Sequence, residues 1–145
     1  FFGVLAVSGS YYLQTLSLAP AAVLAGTIVG LLAAALITIN NTRDRETEAR
    51  AGRRTLSVLC GRRAACAIYS GEILLPFALL PWLAALTDRG IWLVLPCLAL
   101  PLAARQIVRF RRAAGSEYNT LLAGTAGLQM VFAFLLALGL LVRVP

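Results

Sequence analysis

The sequence has no histidine and no lysine, and only six acidic residues and three cysteines in 145 positions. Without histidine there is no Ser-His-Asp relay and no imidazole ligand for zinc or haem. Without lysine there is no Schiff base, and no Gly-rich phosphate loop of the kind that ends in Lys. Cys60, Cys66 and Cys97 are odd in number and lack the spacing of a metal site, so they read as packing residues. The formal charge of +7 comes with no basic stripe interleaved with exposed aromatics, which argues against nucleic acid as a partner.

Apolar residues are what the chain has in excess: 60% of it is hydrophobic, against roughly 45–50% in soluble domains. A bilayer span takes about 20 apolar residues. With short connections the length holds about five spans and no separate soluble domain. The expected fold is all-α, a multi-pass transmembrane bundle embedded in the lipid bilayer. Charge-free runs place the spans at about residues 1–15, 20–39, 64–86, 90–104 and 120–142. Barrel strands are excluded, because they alternate in polarity over about 10 residues and these runs are apolar on every face. The fourth run is short and carries Pro96 and Pro101, which predicts a kink. Phe1 lies inside an uncharged run that continues to Thr42, with no signal-peptide pattern; this opening reads as a cut through a larger protein.

Nearly all the charge lies in two predicted loops, residues 43–63 with seven arginines and three acids, and residues 105–119 with four arginines and one acid. One charge at the bilayer centre costs about 2.5–3.5 kcal/mol on insertion scales, so these segments must leave the hydrocarbon. Both follow even-numbered spans and share one side, cytoplasmic by the excess of arginine. Trp82 and Trp92 flank the opposite turn as an interfacial aromatic belt. Gly26, Gly30, Gly124 and Gly127 read as close-packing positions.

The second span runs directly into Asn40-Asn41-Thr42-Arg43-Asp44-Arg45-Glu46-Thr47-Glu48. If the helix continues, Asn40, Asp44 and Glu48 line one face. An amide and two carboxylates in a row suit Mg²⁺, which prefers oxygen ligands and is usually held by one or two carboxylates together with phosphate oxygens. Arg43, Arg50, Arg53 and Arg54 then lie close enough to bind phosphate in forked geometry, and Gly52 ends the helix. An alternative reading is a solvated helix end, with Arg45–Glu48 and Glu46–Arg50 as surface ion pairs. Asn40 and Asn41 weigh against it, since two adjacent amides at the last membrane turn are costly unless they bind something. Glu72, an acid inside the third span, is a functional candidate by default; the competing reading pairs it with a loop arginine.

The stretch Asn40-Asn41-Thr42-Arg43-Asp44, then Glu48, then Gly52-Arg53-Arg54-Thr55-Leu56, resembles the second acidic motif of the UbiA superfamily of intramembrane prenyltransferases. It is most similar to the branch that prenylates 1,4-dihydroxy-2-naphthoate in menaquinone synthesis. Gly9-Ser10-Tyr11-Tyr12-Leu13-Gln14 and the segment from Gly124 to Leu128 resemble flanking helices of that branch. The resemblance covers essentially the whole chain, as the second half of a nine-helix fold around a central cavity.

It implies that Asp44 and Glu48 are the catalytic acids, holding Mg²⁺ and a polyprenyl diphosphate. It places Asn40 and Asn41 at the border of that pocket, with Arg43 and Arg53 on phosphate or steadying the carboxylates. Tyr11, Tyr12 and Gln14 become candidates for the aromatic or prenyl path, against plain packing. Glu48 stands where the family usually has Asp and Arg53 where it usually has Lys, both keeping the charge. The first acidic motif is absent and would precede Phe1. The implied reaction moves a polyprenyl group to 1,4-dihydroxy-2-naphthoate with loss of CO2, giving demethylmenaquinone, at the plasma (inner) membrane with the acidic loop cytoplasmic. The chain alone is then expected to be inactive. Alternatives are another acceptor (4-hydroxybenzoate, homogentisate, a porphyrin) or a non-catalytic scaffold or transporter piece.

Overall fold

The computed structural model describes residues 1–45, 56–87 and 90–142, with residues 56–60 described in backbone only. Among the described residues every regular element is helical: α1 (Val4–Thr15), α2 (Pro20–Arg43), α3 (Leu56–Thr87), a 3₁₀ segment (Gly90–Ala99), α4 (Leu100–Arg112) and α5 (Glu117–Leu141). Four helical runs are long and apolar enough to cross a membrane: Pro20–Arg43, Gly61–Thr87, Gly90–Arg112 and Glu117–Leu141. The chain is thus built as a multi-pass helical membrane bundle.

Local chemistry sets the boundaries. α1 stops at Leu16, whose left-handed backbone (φ 54) lets its N–H reach the Tyr12 carbonyl at 2.7 Å. Pro20 opens α2 at a position where its missing N–H costs nothing. Gly61, at φ 75, puts a kink near the start of α3, a backbone that only glycine takes up easily. Pro76 and Pro81 lie inside α3, and the buried Pro76 is packed among neighbours, which is how a membrane helix tolerates a freed carbonyl.

α2 lies against α1, α3 and α5, and the 3₁₀ segment bridges α3 and α5. Ile28, Leu32, Ala35 and Ile39 of α2 face Tyr69, Ile73, Leu80 and Leu83 of α3 and Leu128 and Phe132 of α5 across one core. Tyr69 stacks on Phe110 with ring centroids 4.2 Å apart, and Phe77 meets Phe132 edge-on at 5.0 Å. Leu13, Leu98, Met130, Phe134 and Leu141 remain exposed, the pattern of helices apolar on all sides in lipid. Trp82 is exposed and Trp92 partly so, in keeping with interfacial anchors.

Four expectations change. The fourth span does not stop at residue 104, nor is 105–119 a loop: α4 continues to Arg112. Ala103, Gln106, Ile107 and Phe110 turn inward while the arginines stay outside, so charge marks one face of a helix here rather than a connection. The first run, expected as a span truncated at its start, is helical over only 12 residues, Val4–Thr15. Its residues 1–3 are not helical, and Gly3 is pressed against the backbone of Gly26 and Gly30. The far edge of the first predicted loop, residues 43–63, also moves, since α3 is helical from Leu56. Of the expected packing glycines, Gly26, Gly30 and Gly124 are tight, but Gly127 has open space where a Cβ would go. Gly139, not anticipated, closes on the Trp92 carbonyl.

Candidate active site

One end of the bundle gathers the end of α2, the start of α3 and the turn between α4 and α5. Asp44 caps α2, its N–H bonding the Asn40 carbonyl at 2.9 Å. Its carboxylate accepts two bonds from Arg43, Nε to Oδ1 at 2.8 Å and Nη2 to Oδ2 at 3.0 Å. The remaining Arg43 nitrogen, Nη1, donates to Asn119 Oδ1 at 3.1 Å. Asn119 thereby fixes Arg43 and, through it, the orientation of the acid. Arg62 of α3 reaches the same turn, donating to the Arg111 carbonyl at 3.2 Å, the Ala113 carbonyl at 2.7 Å and Tyr118 Oη at 3.3 Å. Those carbonyls lie at and just past the end of α4, where a guanidinium satisfies orphan acceptors and complements the helix dipole. The connection that carries Asp44 is therefore tied at both flanks to residues 111–119.

The pair is open to solvent, with side chains 36% and 45% exposed, so it orients the carboxylate more than it stabilises the fold. The Arg43 hydrogen bonds hold the Asp44 carboxyl below the usual carboxylate range. Because the folded value is depressed, the charged pair persists above the ordinary carboxylate value and is lost only as pH falls through the lower one. Arg43→Ala should move the protonation midpoint of Asp44 up toward the ordinary carboxylate value. A carboxyl-carbon NMR titration checks this, and an unmoved midpoint would show that Arg43 does not hold the acid.

Not every residue singled out in the sequence joins this end. Asn40 and Asn41 are half-buried on the last turn of α2, and Asn40 shares a face with Asp44. α2 closes at Arg43, because Asp44 leaves helical geometry to cap it. Glu48, Arg50 and Arg53 lie outside the described residues, as do Gly52, Arg54 and both surface ion pairs. Tyr11, Tyr12 and Gln14 are exposed near the opposite end. Tyr11 lines a cleft of about 460 Å³ with Ala22, Leu86 and Thr87. Ala22 and Arg43 are separated along α2 by about 30 Å at a rise of about 1.5 Å per residue. Glu72 bonds Thr38 of α2, Oγ1 to Oε1 at 3.0 Å, and no described arginine; its Oε2 is buried without a described partner. A helix contact outcompetes the loop arginines because residue 72 lies well below Arg62 and Arg63 along α3. Sequence reasoning missed Arg62 and Asn119 as site-building residues, since their partners are distant in the chain.

Among the described residues no group of three or more His, Cys, Asp or Glu gathers around one point. The donor set at this end is nevertheless of hard oxygens, from Asp44 and the two asparagines. It fits a cation held by one protein carboxylate, phosphate oxygens and water, which is the habit of Mg²⁺.

Apolar helices long enough to cross a membrane, with an arginine-clamped carboxylate at one end, define an integral membrane protein. The chain belongs to the UbiA prenyltransferase family, which it matches over residues 1–132. It is 39% identical over 149 aligned residues to 1,4-dihydroxy-2-naphthoate octaprenyltransferase of Haemophilus influenzae, an alignment covering 98% of this chain and 46% of that protein. The protein of the same name in Escherichia coli is 37% identical over 106 residues, 73% of this chain and 34% of the relative. UbiA prenyltransferase domain-containing protein 1 of Homo sapiens is 33% identical over 140 residues, 97% of this chain and 40% of the relative. The chain spans less than half the length of these curated relatives.

Proposed function

We propose that this chain supplies the second acidic motif of a Mg²⁺-dependent prenyltransferase that moves a polyprenyl group from its diphosphate to 1,4-dihydroxy-2-naphthoate. The observation that carries the reading is the Arg43–Asp44 pair fixed by Asn119, in a chain similar to two proteins named for that activity. The allylic C–O bond breaks and the diphosphate leaves with both electrons. The ring carbon bearing the carboxylate attacks the allylic carbon, and CO2 departs, leaving demethylmenaquinone in its reduced, quinol form.

A bound Mg²⁺ would neutralise charge growing on the leaving group. Asp44 would hold it, with Glu48 as the second carboxylate. Arg43, Arg50 and Arg53 would bind phosphate oxygens, and Asn40 and Asn41 would border them. Charge stabilisation of this kind is most effective in a water-poor site. The apolar bundle provides that setting for the cation and the prenyl tail. Arg43 and Arg62, at the described flanks of the first basic segment, meet residues 111–119 at one end of the bundle; arginine excess supports reading that end as the cytoplasmic one, in a plasma membrane. Tyr11, Tyr12 and Gln14 lie at the far end, exposed, which supports reading them as lining a tail path rather than the reacting centre.

The test is made on the full-length polypeptide that carries this sequence, in membranes supplied with Mg²⁺, a polyprenyl diphosphate and the naphthoate. Prenylated, decarboxylated quinol is expected. Product from 4-hydroxybenzoate or homogentisate alone would replace the acceptor, and no product from any acceptor would leave a scaffold or transporter role. Given how little of each relative it spans, the 145-residue chain by itself is expected not to turn over.

A further inference from the structure

We propose that the cleft between α4 and α5 at the basic end is a binding site for the headgroup of an anionic phospholipid, separate from the Asp44 site. The cleft has a volume of about 450 Å³ and is lined by Val108, Arg109, Arg112, Glu117, Thr120 and Leu121 among others. Arg105, Arg109 and Arg112 recur at the spacing of one helix face, opposite the buried Ala103, Gln106, Ile107 and Phe110. Among the described residues none of these three arginines has a side-chain hydrogen bond or ion pair, the one described salt bridge being Arg43–Asp44. Glu117, whose Oε2 accepts from the Ala114 N–H at 2.9 Å, pairs with none of them among the described residues, and one carboxylate against three arginines leaves the face positive. Two guanidiniums with free donors remain at the rim.

The apolar part of the same surface selects a lipid over a soluble anion. Leu98 and Leu102 are 70% and 38% exposed and lie before the arginines, toward the middle of the membrane-crossing run Gly90–Arg112, while Val108, 48% exposed, sits among the arginines in the cleft. An acyl chain laid along them brings its phosphodiester to Arg109 and Arg112, where forked donors match its oxygens. Basic pockets between membrane helices commonly take such headgroups. The cleft is also turned away from Asp44. Asn119, which holds Arg43, lies about 160° around α5 from Glu117 and Leu121 and about 100° from Thr120, at 3.6 residues per turn.

The experiment reconstitutes the full-length polypeptide in phosphatidylcholine vesicles containing a minor fraction of phosphatidylglycerol. Phosphatidylglycerol retained through detergent exchange is then counted by mass spectrometry. Wild type should retain it over phosphatidylcholine, Arg109→Gln with Arg112→Gln should weaken retention on the order of tenfold or more, and the double lysine variant should keep most of it. If the glutamine variant does not fold, Val108→Glu, which leaves both arginines but adds a carboxylate to the cleft, should lose the lipid instead. Equal retention in wild type and a folded variant overturns the proposal. So does displacement of the lipid by equimolar inorganic phosphate, which would assign the cleft to a soluble anion. Asp44→Ala should leave retention unchanged, so the outcome is independent of the prenyl-transfer reading.

Discussion

Asp44→Ala in the full-length polypeptide is expected to cut prenyl transfer by about 10²–10³-fold, the usual loss when one preorganised charge-stabilising group is removed from an active site. The acid is the one carboxylate described at the end of α2, and both its oxygens are oriented by Arg43. Removing it deletes the hard-oxygen donor and leaves the guanidinium held by Asn119 alone. Asp44→Asn should fare little better, since an amide keeps the shape but not the charge. Because Asp44 lies outside the membrane-crossing runs and is 45% exposed, the variant should unfold at the same temperature as the wild type. Steady-state turnover with saturating naphthoate, measured beside a thermal melt, separates chemistry from folding. Wild-type turnover in a folded Asp44→Ala protein would remove the residue from the reaction.

What the chain discloses before folding depends on whether the information is local. Runs of uncharged residues have the length of a span, so α2, the body of α3 and α5 were legible to within a few residues. The Asn40–Asp44 stretch that ends α2 was legible as a pattern for the same reason, its residues being contiguous, while its binding role is a proposal. α4 is hidden from a count of its arginines and shows only in their spacing. The inward set at 103, 106, 107 and 110 carries a helical period straight through the supposed loop. Arg62 and Asn119 left no comparable trace, for each acts on a partner brought near only by the bundle. Glu72 shows the same limit, its Thr38 partner being 34 positions away. The far placement of Tyr11 was implicit in the topology, since α2 crosses the whole bundle between the turn after α1 and Asn40.

Gly26→Leu is expected to have the largest effect on folding, because α1 is joined to α2 by backbone contact rather than by interdigitated side chains. A Cβ on Gly26 would come within 2.8 Å of the Val4 Cα and 3.0 Å of the Gly3 carbonyl oxygen, and one on Gly30 within 3.1 Å of the Gly3 Cα. Main-chain atoms cannot rotate away, so the helices must part. In lipid no hydrophobic force draws them back, since packing itself drives association there. Overpacking of this kind costs about 1–3 kcal/mol, occasionally more. Gly124→Ala should be milder, as the atoms in its path are the flexible end of Gln106. Gly127→Ala should reverse the sign: nothing lies within 4 Å of its Cβ position, and alanine gains roughly 0.8–1 kcal/mol over glycine inside a helix. Melting temperatures of the three full-length variants in one detergent should therefore fall in the order Gly127→Ala above wild type, then Gly124→Ala, then Gly26→Leu. If Gly26→Leu melted with the wild type, the α1–α2 contact would not be close-packed. The cleft beside Tyr11, which those two helices wall together with α3, would then be free to widen for a prenyl tail.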